Sequence, residues 1–333
     1  MTAIHLRTQN TGDMFVKKLL IGTFFAAAIL PSLASAAYPD RAISIVVPYA
    51  PGGTADALAR VIALNLGKKL NQSIVVENKS GASGMIGEAY VARAKGDGYT
   101  VLYDATPLSI NPFLHKLSFN PETDLVPLTL VSVTPNILVV PKSSKFNTVA
   151  DVVKAAKAEP GRLTFTSGGT GTVQYMAGEL FNQGFGLKML HVPFKSGGPA
   201  IMATVAGQVN MTFTNIASSL AMVKSGQLKA LAITSPKRNP LLPDVPTVAE
   251  SGIDGYKVYE WNGMFVPKGT PQEIVDMLQK NIKEVLKEPD VKAKFDSLGA
   301  DIVASTPEDF KQYMNSESEK WGKVVKNAGI VAQ

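Results

Sequence analysis

Ile43-Ser44-Ile45-Val46-Val47-Pro48-Tyr49-Ala50-Pro51-Gly52-Gly53-Thr54-Ala55-Asp56 carries a strand, a glycine corner and the start of a helix in one stretch. The run Ile43 to Val47 is apolar and rich in β-branched residues, which reads as a buried strand. Pro51-Gly52-Gly53 breaks it. From Ala55 to Leu70 the residues Leu58, Ala59, Ile62 and Leu66 recur at helical spacing, and the stretch from Gly67 to Asn71 closes that helix. Beyond it, Ile74 to Val76 reads as a strand, Gly84 to Ala94 as a helix and Thr100 to Tyr103 as a third strand. The alternation predicts an α/β fold with a mostly parallel sheet covered on both faces.

The rhythm repeats further along. Ile137 to Val140 is a strand, and Thr148 is the expected N-cap of a helix from Val149 to Ala158 that Pro160-Gly161 stops. The strand Leu163 to Thr166 leads through the glycine-rich Ser167 to Thr172 into a helix from Val173 to Phe181. Strands at Met189 to Val192, Val209 to Thr214 and Leu228 to Thr234 follow, with a helix from Pro199 to Val205 among them. The chain ends in helices. Thr270-Pro271-Gln272-Glu273 reads as a capping box with proline at the first helical position, and Thr306-Pro307-Glu308-Asp309 opens the last helix. These terminal helices need a surface to cover. Packing on the first unit would make that unit discontinuous and place two crossing strands at a hinge, with Asn136 to Pro141 and Val258 to Pro267 as candidates.

Composition narrows the function. The chain has 333 residues and 45% apolar side chains, enough for a folded core and room for about two domains. It has no cysteine, which excludes disulfides, thiolate metal sites, iron–sulfur clusters and thiol nucleophiles. The three histidines, His5, His115 and His191, lie too far apart for a local metal motif, so neither a metal nor a cofactor is expected. Lys and Arg exceed Asp and Glu by 33 to 27, a mild excess spread along the chain, which is no nucleic-acid footprint. At the N-terminus, Lys17-Lys18 precede an uncharged run from Leu19 to Leu30, too short to span a bilayer, and then the small-x-small triplet Ala34-Ser35-Ala36. Residues 1–36 read as a signal peptide cleaved near Ala36, and the product as a periplasmic, exported protein.

Glycine-rich corners stand where strands become helices: Pro51 to Asp56, Ser80 to Gly84, Ser167 to Thr172, and Pro193 to Gly198. Ligands of open parallel sheets bind beyond the carboxyl ends of the strands. Helix starts there present unpaired N–H groups and a partial positive charge, which suits an anion such as a carboxylate. Each corner also has a plain structural reading, as a tight turn or a cap. Asp56 serves equally to stabilise the first helical turn, Thr54 to cap it, and Tyr259 and Trp261 to fill a core or to cover a ligand. A dinucleotide fingerprint fails because Gln174 stands where Gly169-Thr170-Gly171 would need a further glycine, and no loop closes with the Gly-Lys-Ser/Thr of a P-loop. No Gly-x-Ser-x-Gly elbow follows a strand, and no acid–base pair stands out. His115 and His191 read as structural. No catalytic residue is assigned.

The motifs then form an ordered series. Val47-Pro-Tyr-Ala-Pro-Gly-Gly-Thr-Ala-Asp56, Val76-Glu-Asn-Lys-Ser-Gly-Ala-Ser-Gly-Met-Ile-Gly87, Asn111-Pro112, Phe165-Thr-Ser-Gly-Gly-Thr-Gly-Thr172, His191-Val-Pro-Phe-Lys-Ser-Gly-Gly198, Leu242-Pro-Asp-Val-Pro-Thr-Val-Ala-Glu-Ser-Gly252 and Trp261-Asn-Gly263 follow one another. In that order they resemble the Bug-type solute receptors of tripartite tricarboxylate transporters. The resemblance implies a two-lobed periplasmic binding protein fold, each lobe a mostly parallel sheet flanked by helices, with two crossing hinge strands. The expected division is residues 38–135 with 262–333 as lobe I and 136–261 as lobe II. It further implies a monomeric, non-enzymatic receptor that closes on a small organic acid and presents it to membrane transporter subunits. An ATP-driven importer or a sensory protein is the alternative partner, and an enzyme on the same fold the remaining class.

The candidate ligand-binding set comprises Tyr49, Gly52, Gly53, Thr54, Asp56, Ala82, Ser83 and Thr106 on one side. Ser167, Thr170, Gly171, Thr172, Tyr175, Phe194, Lys195, Asn215 and Trp261 complete it. The resemblance also implies two departures. Many relatives have histidine where Tyr175 stands, and aspartate near Thr214-Asn215. Without that aspartate an ammonium lacks its acid, so the expected ligand is an amine-free mono- or dicarboxylate, with the aromatic side chains allowing an aromatic acid.

Overall fold

The structure is a computed structural model that describes residues 1–3, 5 and 38–330. The basic start, apolar run and cleavage triplet of the leader lie outside the described residues. Two compact units are distinguished, Met1–Asp40 and Arg41–Gln333, and the fold below is that of the second.

The opening strand forms as read, as β1 (Ile43–Val47), followed by α1 (Thr54–Leu70) and β2 (Ile74–Asn78). A 3-10 turn at Ala82–Gly84 leads into α2 (Met85–Ala92), β3 (Thr100–Ala105) and α3 (Pro107–Leu114). The short α4 (Pro121–Asp124) then meets β4 (Leu125–Pro141). The second half holds α5 (Val149–Ala158), β5 (Thr164–Ser167), α6 (Val173–Phe185), β6 (Leu190–Pro193) and α7 (Gly197–Val205). It continues with β7 (Met211–Asn215), α8 (Ile216–Lys224) and β8 (Leu228–Ile233). The return and tail are β9 (Tyr259–Pro267), α9 (Gln272–Val285), α10 (Pro289–Ser297), β10 (Asp301–Ile302) and α11 (Pro307–Asn327). Among these residues no helix is long and apolar enough to cross a membrane.

β1 pairs in parallel with β2 and β3, and β5 pairs in parallel with β6 and β7. The order across the path is β2-β1-β3-β9-β4-β7-β5-β6. Two parallel halves are thus joined through antiparallel strands. β4 carries the junction within one strand. Its residues 125–135 pair with β9, and from Asn136 onward it pairs with β7 and β8. The expected crossing strands at 136–141 and 258–267 are therefore strands, the first being the end of a longer one. Pro127 and Pro135 had hidden its first half, since proline argues against a strand interior. The register slips beside Pro127 as β4 passes β9.

There are two packed interiors, and the second also takes in Ile110 and Leu114 of α3. Val46, Leu102, Leu130, Trp261, Phe265 and Phe310 belong to one cluster; Leu138, Phe165, Phe181, Phe213 and Trp321 belong to another. α11 contributes to both, with Phe310 in the first and Trp321, Val324 and Val325 in the second. The last helix rests on α3 and β4 and also reaches α6 of the second half. Gln183 Nε2 donates to the Val324 carbonyl at 3.0 Å and holds its far end.

Local signals account for most helix starts. Thr148 caps α5 with Asp151 in a reciprocal box, and Thr306 caps α11 through the Asp309 N–H. The box read at 270–273 does not form. α9 starts at Gln272 with Pro271 as its N-cap and no side-chain bond, while Thr270 Oγ1 donates to the Pro267 carbonyl at 2.7 Å. The sequence reading also passed over α3, α8 and α10. α3 opens on Pro107 and contains Pro112. α8 follows β7 with no loop, because Asn215 ends the strand and accepts from the Ala217 N–H as the next helix's cap.

Candidate functional site

A cavity of about 480 Å³ opens between the helix starts of the two halves. Tyr49, Gly53, Thr54 and Asp56 line it from the first half. Ser167, Gly168, Thr172, Gln174, Gly197, Gly198 and Asn215 line it from the second, with Glu260 from β9. Three of the four glycine corners thus meet at one place.

At the first corner the chain turns at Gly53, the N-cap of α1, which makes no side-chain capping bond. The first-turn N–H groups of α1 have no intrahelical acceptor and stand beside the cavity. Thr54 is the first helical residue, not the cap. Asp56 braces the turn: its carboxylate accepts from the Gly52 N–H at 2.9 Å, Arg60 Nε at 3.0 Å and Asn78 Nδ2 at 2.9 Å. Burial works to raise its pKa, but the bonds from Arg60, Gly52 and Asn78 prevail and hold it down at about 2. Arg60 is consumed in that pairing, at 2.9 Å, and offers the cavity no charge. Gly52 stands beside the wall, its N–H already committed.

The second corner lies outside the cavity lining. Gly81, Ala82, Ser83 and Gly84 all have positive φ, at 137°, 47°, 54° and 100°. For Ala82 and Ser83 this costs backbone energy, and such strain persists only where the surroundings enforce it. Asn111 Nδ2 donates to the Ser83 carbonyl at 3.1 Å and helps to fix the loop. The loop faces the third corner: a Cβ built on Gly171 would stand 3.2 Å from Ser83 Oγ and 3.5 Å from Asn111 Oδ1. Ser83 and Asn111 therefore meet Gly171 between the halves, while Ala82 lies in the same loop, off the cavity wall.

The third corner is tightly wired. Thr172 caps α6, accepting from the Tyr175 N–H at 3.3 Å and donating to the Gly169 carbonyl at 2.7 Å. Ser167 Oγ shares a hydrogen bond with His191 Nε2 at 2.8 Å. Burial pushes His191 down to about 4, so the ring is neutral near pH 7, and Tyr175 lies on it with ring centroids 4.4 Å apart. Tyr175 is buried beneath the corner and does not line the cavity.

Other candidates sit elsewhere. Trp261 is fully buried, edge-on to Phe265 and Phe310. Its place in the core corrects the expectation that it covers the ligand; on β9 its side chain points to the opposite face from Glu260. Thr106 is buried and accepts from the Trp261 N–H at 2.9 Å. Thr170 and Lys195 are exposed and Phe194 half-buried, none of them on the cavity wall. Among the described residues no group of three or more His, Cys, Asp or Glu is placed to hold a metal ion.

The sequence reading missed the acids. Glu260 and Gln174 line the cavity, and Glu260 Oε2 accepts from Asn215 Nδ2 and Gln174 Nε2, each at 3.3 Å. Burial raises the Glu260 pKa, and those two amides oppose the shift. Strand alternation from Trp261 was the available signal. Behind the wall, Tyr49 donates to Asp104 Oδ1 at 2.7 Å. Asp104 and Glu88 are both fully buried. Burial first, and for Glu88 then the neighbouring Asp104, raises both carboxyls, Asp104 to about 7.

This arrangement makes stability depend on pH. An unfolded Asp loses its proton near 4. Folded Asp104 keeps it to about 7, so the native state holds more protons across that interval and stability falls as pH rises through it. Asp104→Asn keeps an acceptor for Tyr49 and removes the charge. It is expected to stabilise the ligand-free protein at pH 8 by on the order of 1–3 kcal/mol and to change little at pH 4.5. Thermal melts at the two pH values check it; an equal shift at both would remove Asp104 as the cause.

Two parallel-sheet halves with a cavity between their helix starts define a two-lobed binding protein of the periplasmic type. The chain belongs to the family described as tripartite tricarboxylate transporter family receptor, whose family model matches residues 58–330. It is 37% identical to the UPF0065 protein in the tcbD-tcbE intergenic region of Pseudomonas sp. (strain P51), covering 87% of each chain. It is 34% identical to protein BugT of Bordetella pertussis, over 93% of this chain and 96% of that one. Among solved structures, that of R. palustris Rpa4515 with adipate superposes with a TM-score of 0.81 at 34% identity, over 89% of this chain and 100% of that one. MatC from Rhodopseudomonas palustris with bound malate gives 0.77 at 31% identity, over 86% and 100%.

Proposed function

We propose that this receptor captures a small organic carboxylate in the cavity between its halves and hands it to the membrane subunits of a tripartite tricarboxylate-type transporter. The observation that carries the reading is the meeting of uncapped main-chain donors at Gly53 and Thr54 with the Ser167-to-Thr172 corner in one cavity lined by no lysine, arginine or histidine. Helix starts of this kind hold carboxylates without a cationic side chain. The adipate and malate carried by two related structures fit the same chemistry.

In this reading residues 38–135 with 262–333 form lobe I and 136–261 lobe II, hinged where β4 and β9 run between them. Ligand contacts from both lobes stabilise the closed state, which is the form presented to the membrane. No bond is made or broken in the ligand, the protein acts as a monomer in the periplasm, and the leader is removed near Ala36. Rigid helix starts fix the carboxylate with little ordering cost.

Isothermal titration against a panel of carboxylates that includes adipate and malate tests the reading. Saturable binding of at least one acid at one site per chain is the expected result. Absence of binding across the panel, from protein refolded free of copurified ligand, would overturn it.

A further inference from the structure

We propose that Glu260 selects a ligand bearing a cationic ammonium at the end opposite its carboxylate, so that the captured acid is a zwitterion. The inference rests on the carboxylate reading above and adds the chemistry of the ligand's other end.

The charge lining the cavity is of one sign. Its ionisable carboxylates are Asp56 and Glu260, and no lysine, arginine or histidine lines it. Asp56 is neutralised by Arg60 and spent on bracing the first corner. Among the described residues Glu260 has no cationic partner.

Its hydrogen bonds show which way it faces. Both bonds to Glu260 come from side-chain amides of the second half and both reach Oε2, leaving Oε1 without a protein partner at the cavity. The Asn215 amide has its orientation fixed by a separate bond. Its Oδ1 accepts from the Ala217 N–H at 2.9 Å, so its Nδ2 is the group turned toward Glu260. Gln174 Nε2 is likewise aimed at two acceptors, Asn136 Oδ1 at 3.1 Å and Glu260 Oε2. Burial raises the Glu260 pKa and these two N–H donors oppose the rise; Glu260 is taken as ionised when the ligand is bound.

Tyr49, on the facing half, extends the pattern. Its hydroxyl proton is given to Asp104 behind the wall, so Tyr49 brings the cavity no proton donor. Asp104 and Glu88 stand behind it, with no lysine or arginine among their hydrogen-bond or ion-pair partners in the described residues. Away from the helix starts, neither ionised Glu260 nor Tyr49 therefore offers a donor to a second carboxylate. A ligand carrying carboxylates alone would meet ionised Glu260 with like charge and leave Oε1 unpaired. An ammonium supplies a donor to Glu260 Oε1, while the carboxylate keeps the main-chain N–H groups. The expectation of an amine-free acid, drawn from asparagine at 215, is thereby reversed: Asn215 holds the acid in place instead of being it.

Matched titrations decide the matter. Purified protein is titrated with L-glutamate against glutarate, 4-aminobutanoate against butanoate, and 6-aminohexanoate against hexanoate, using wild type and Glu260→Gln. The expected result is at least one amine-bearing acid binding about tenfold or more tightly than its amine-free partner. Glu260→Gln should then lose about 10- to 100-fold in affinity for that ligand, the range of a charge-assisted bond, with an unchanged circular dichroism spectrum. Amine-free acids binding as tightly as their partners in wild type would overturn the proposal and leave the carboxylate reading standing. So would a folded Glu260→Gln that binds the amine-bearing ligand as tightly as wild type does. Binding of neither set would overturn both. The wild-type comparison needs no variant, so a poorly folded Glu260→Gln does not shield the proposal.

Discussion

Gly53→Val is expected to abolish ligand binding while the protein stays folded. Gly53 is the N-cap of α1, with φ −77° and ψ 171°, an extended conformation open to any L-residue. A Cβ built there would meet only the Ala50 carbonyl, at 3.8 Å. Valine therefore fits the backbone and loses only the modest preference of an N-cap for glycine, about 1 kcal/mol or less. Its methyl groups would stand at the cavity wall, beside the N–H groups proposed to hold the carboxylate. Losing two charge-assisted hydrogen bonds at about 1.5–3 kcal/mol each predicts a fall of more than 100-fold in affinity. Calorimetry with the best-bound acid, beside a thermal melt, checks the result. Unchanged affinity in a folded variant would remove the first corner from the site.

The second large effect is on stability. Gly263 lies in β9 opposite Asp104 of β3 and Leu130 of β4. A Cβ added there would stand 2.6 Å from Phe310 Cε1, and nearer still to Phe310 Cζ. Phe310 has no room to withdraw. It is fully buried, with Trp261 edge-on at 5.7 Å between ring centroids and Phe265 at 4.9 Å. Gly263→Ala must shift either a central strand or the helix that joins the two interiors. Its expected cost is about 3 kcal/mol, the upper part of the overpacking range. Denaturant unfolding at constant m would register it as a lower midpoint. Gly263→Ala combined with Phe310→Leu should recover part of the loss; equal instability in both variants would point away from this clash.

The main elements were legible because they are local. β1, α1, the Thr148 cap and the αβ repeat follow from apolar spacing, caps and glycine corners within a few residues. Elements that break a local rule escaped: β4 runs through two prolines, α3 contains Pro112, and α8 begins where β7 ends. The site divides in the same way. The corners at 51–56 and 167–172 could be named because they are contiguous. Trp261 was included in the candidate site and Glu260 was passed over, although they are adjacent. A strand sends such neighbours to opposite faces, and only the packed sheet reveals which face is core.

The amino-acid sequence by itself determined the α/β alternation, the places where helix starts could receive an anion, and the family, through many short motifs in fixed order. Tertiary structure alone decided which corners share a cavity, that Arg60 is spent on Asp56, and that Glu260 reaches the cavity with one oxygen unpartnered. The physical reason is range. Backbone preference and hydrophobic periodicity act between near neighbours in the chain, whereas the charge of a cavity depends on residues as distant as Tyr49 and Glu260, which meet only when two interiors close around β4, β9 and α11.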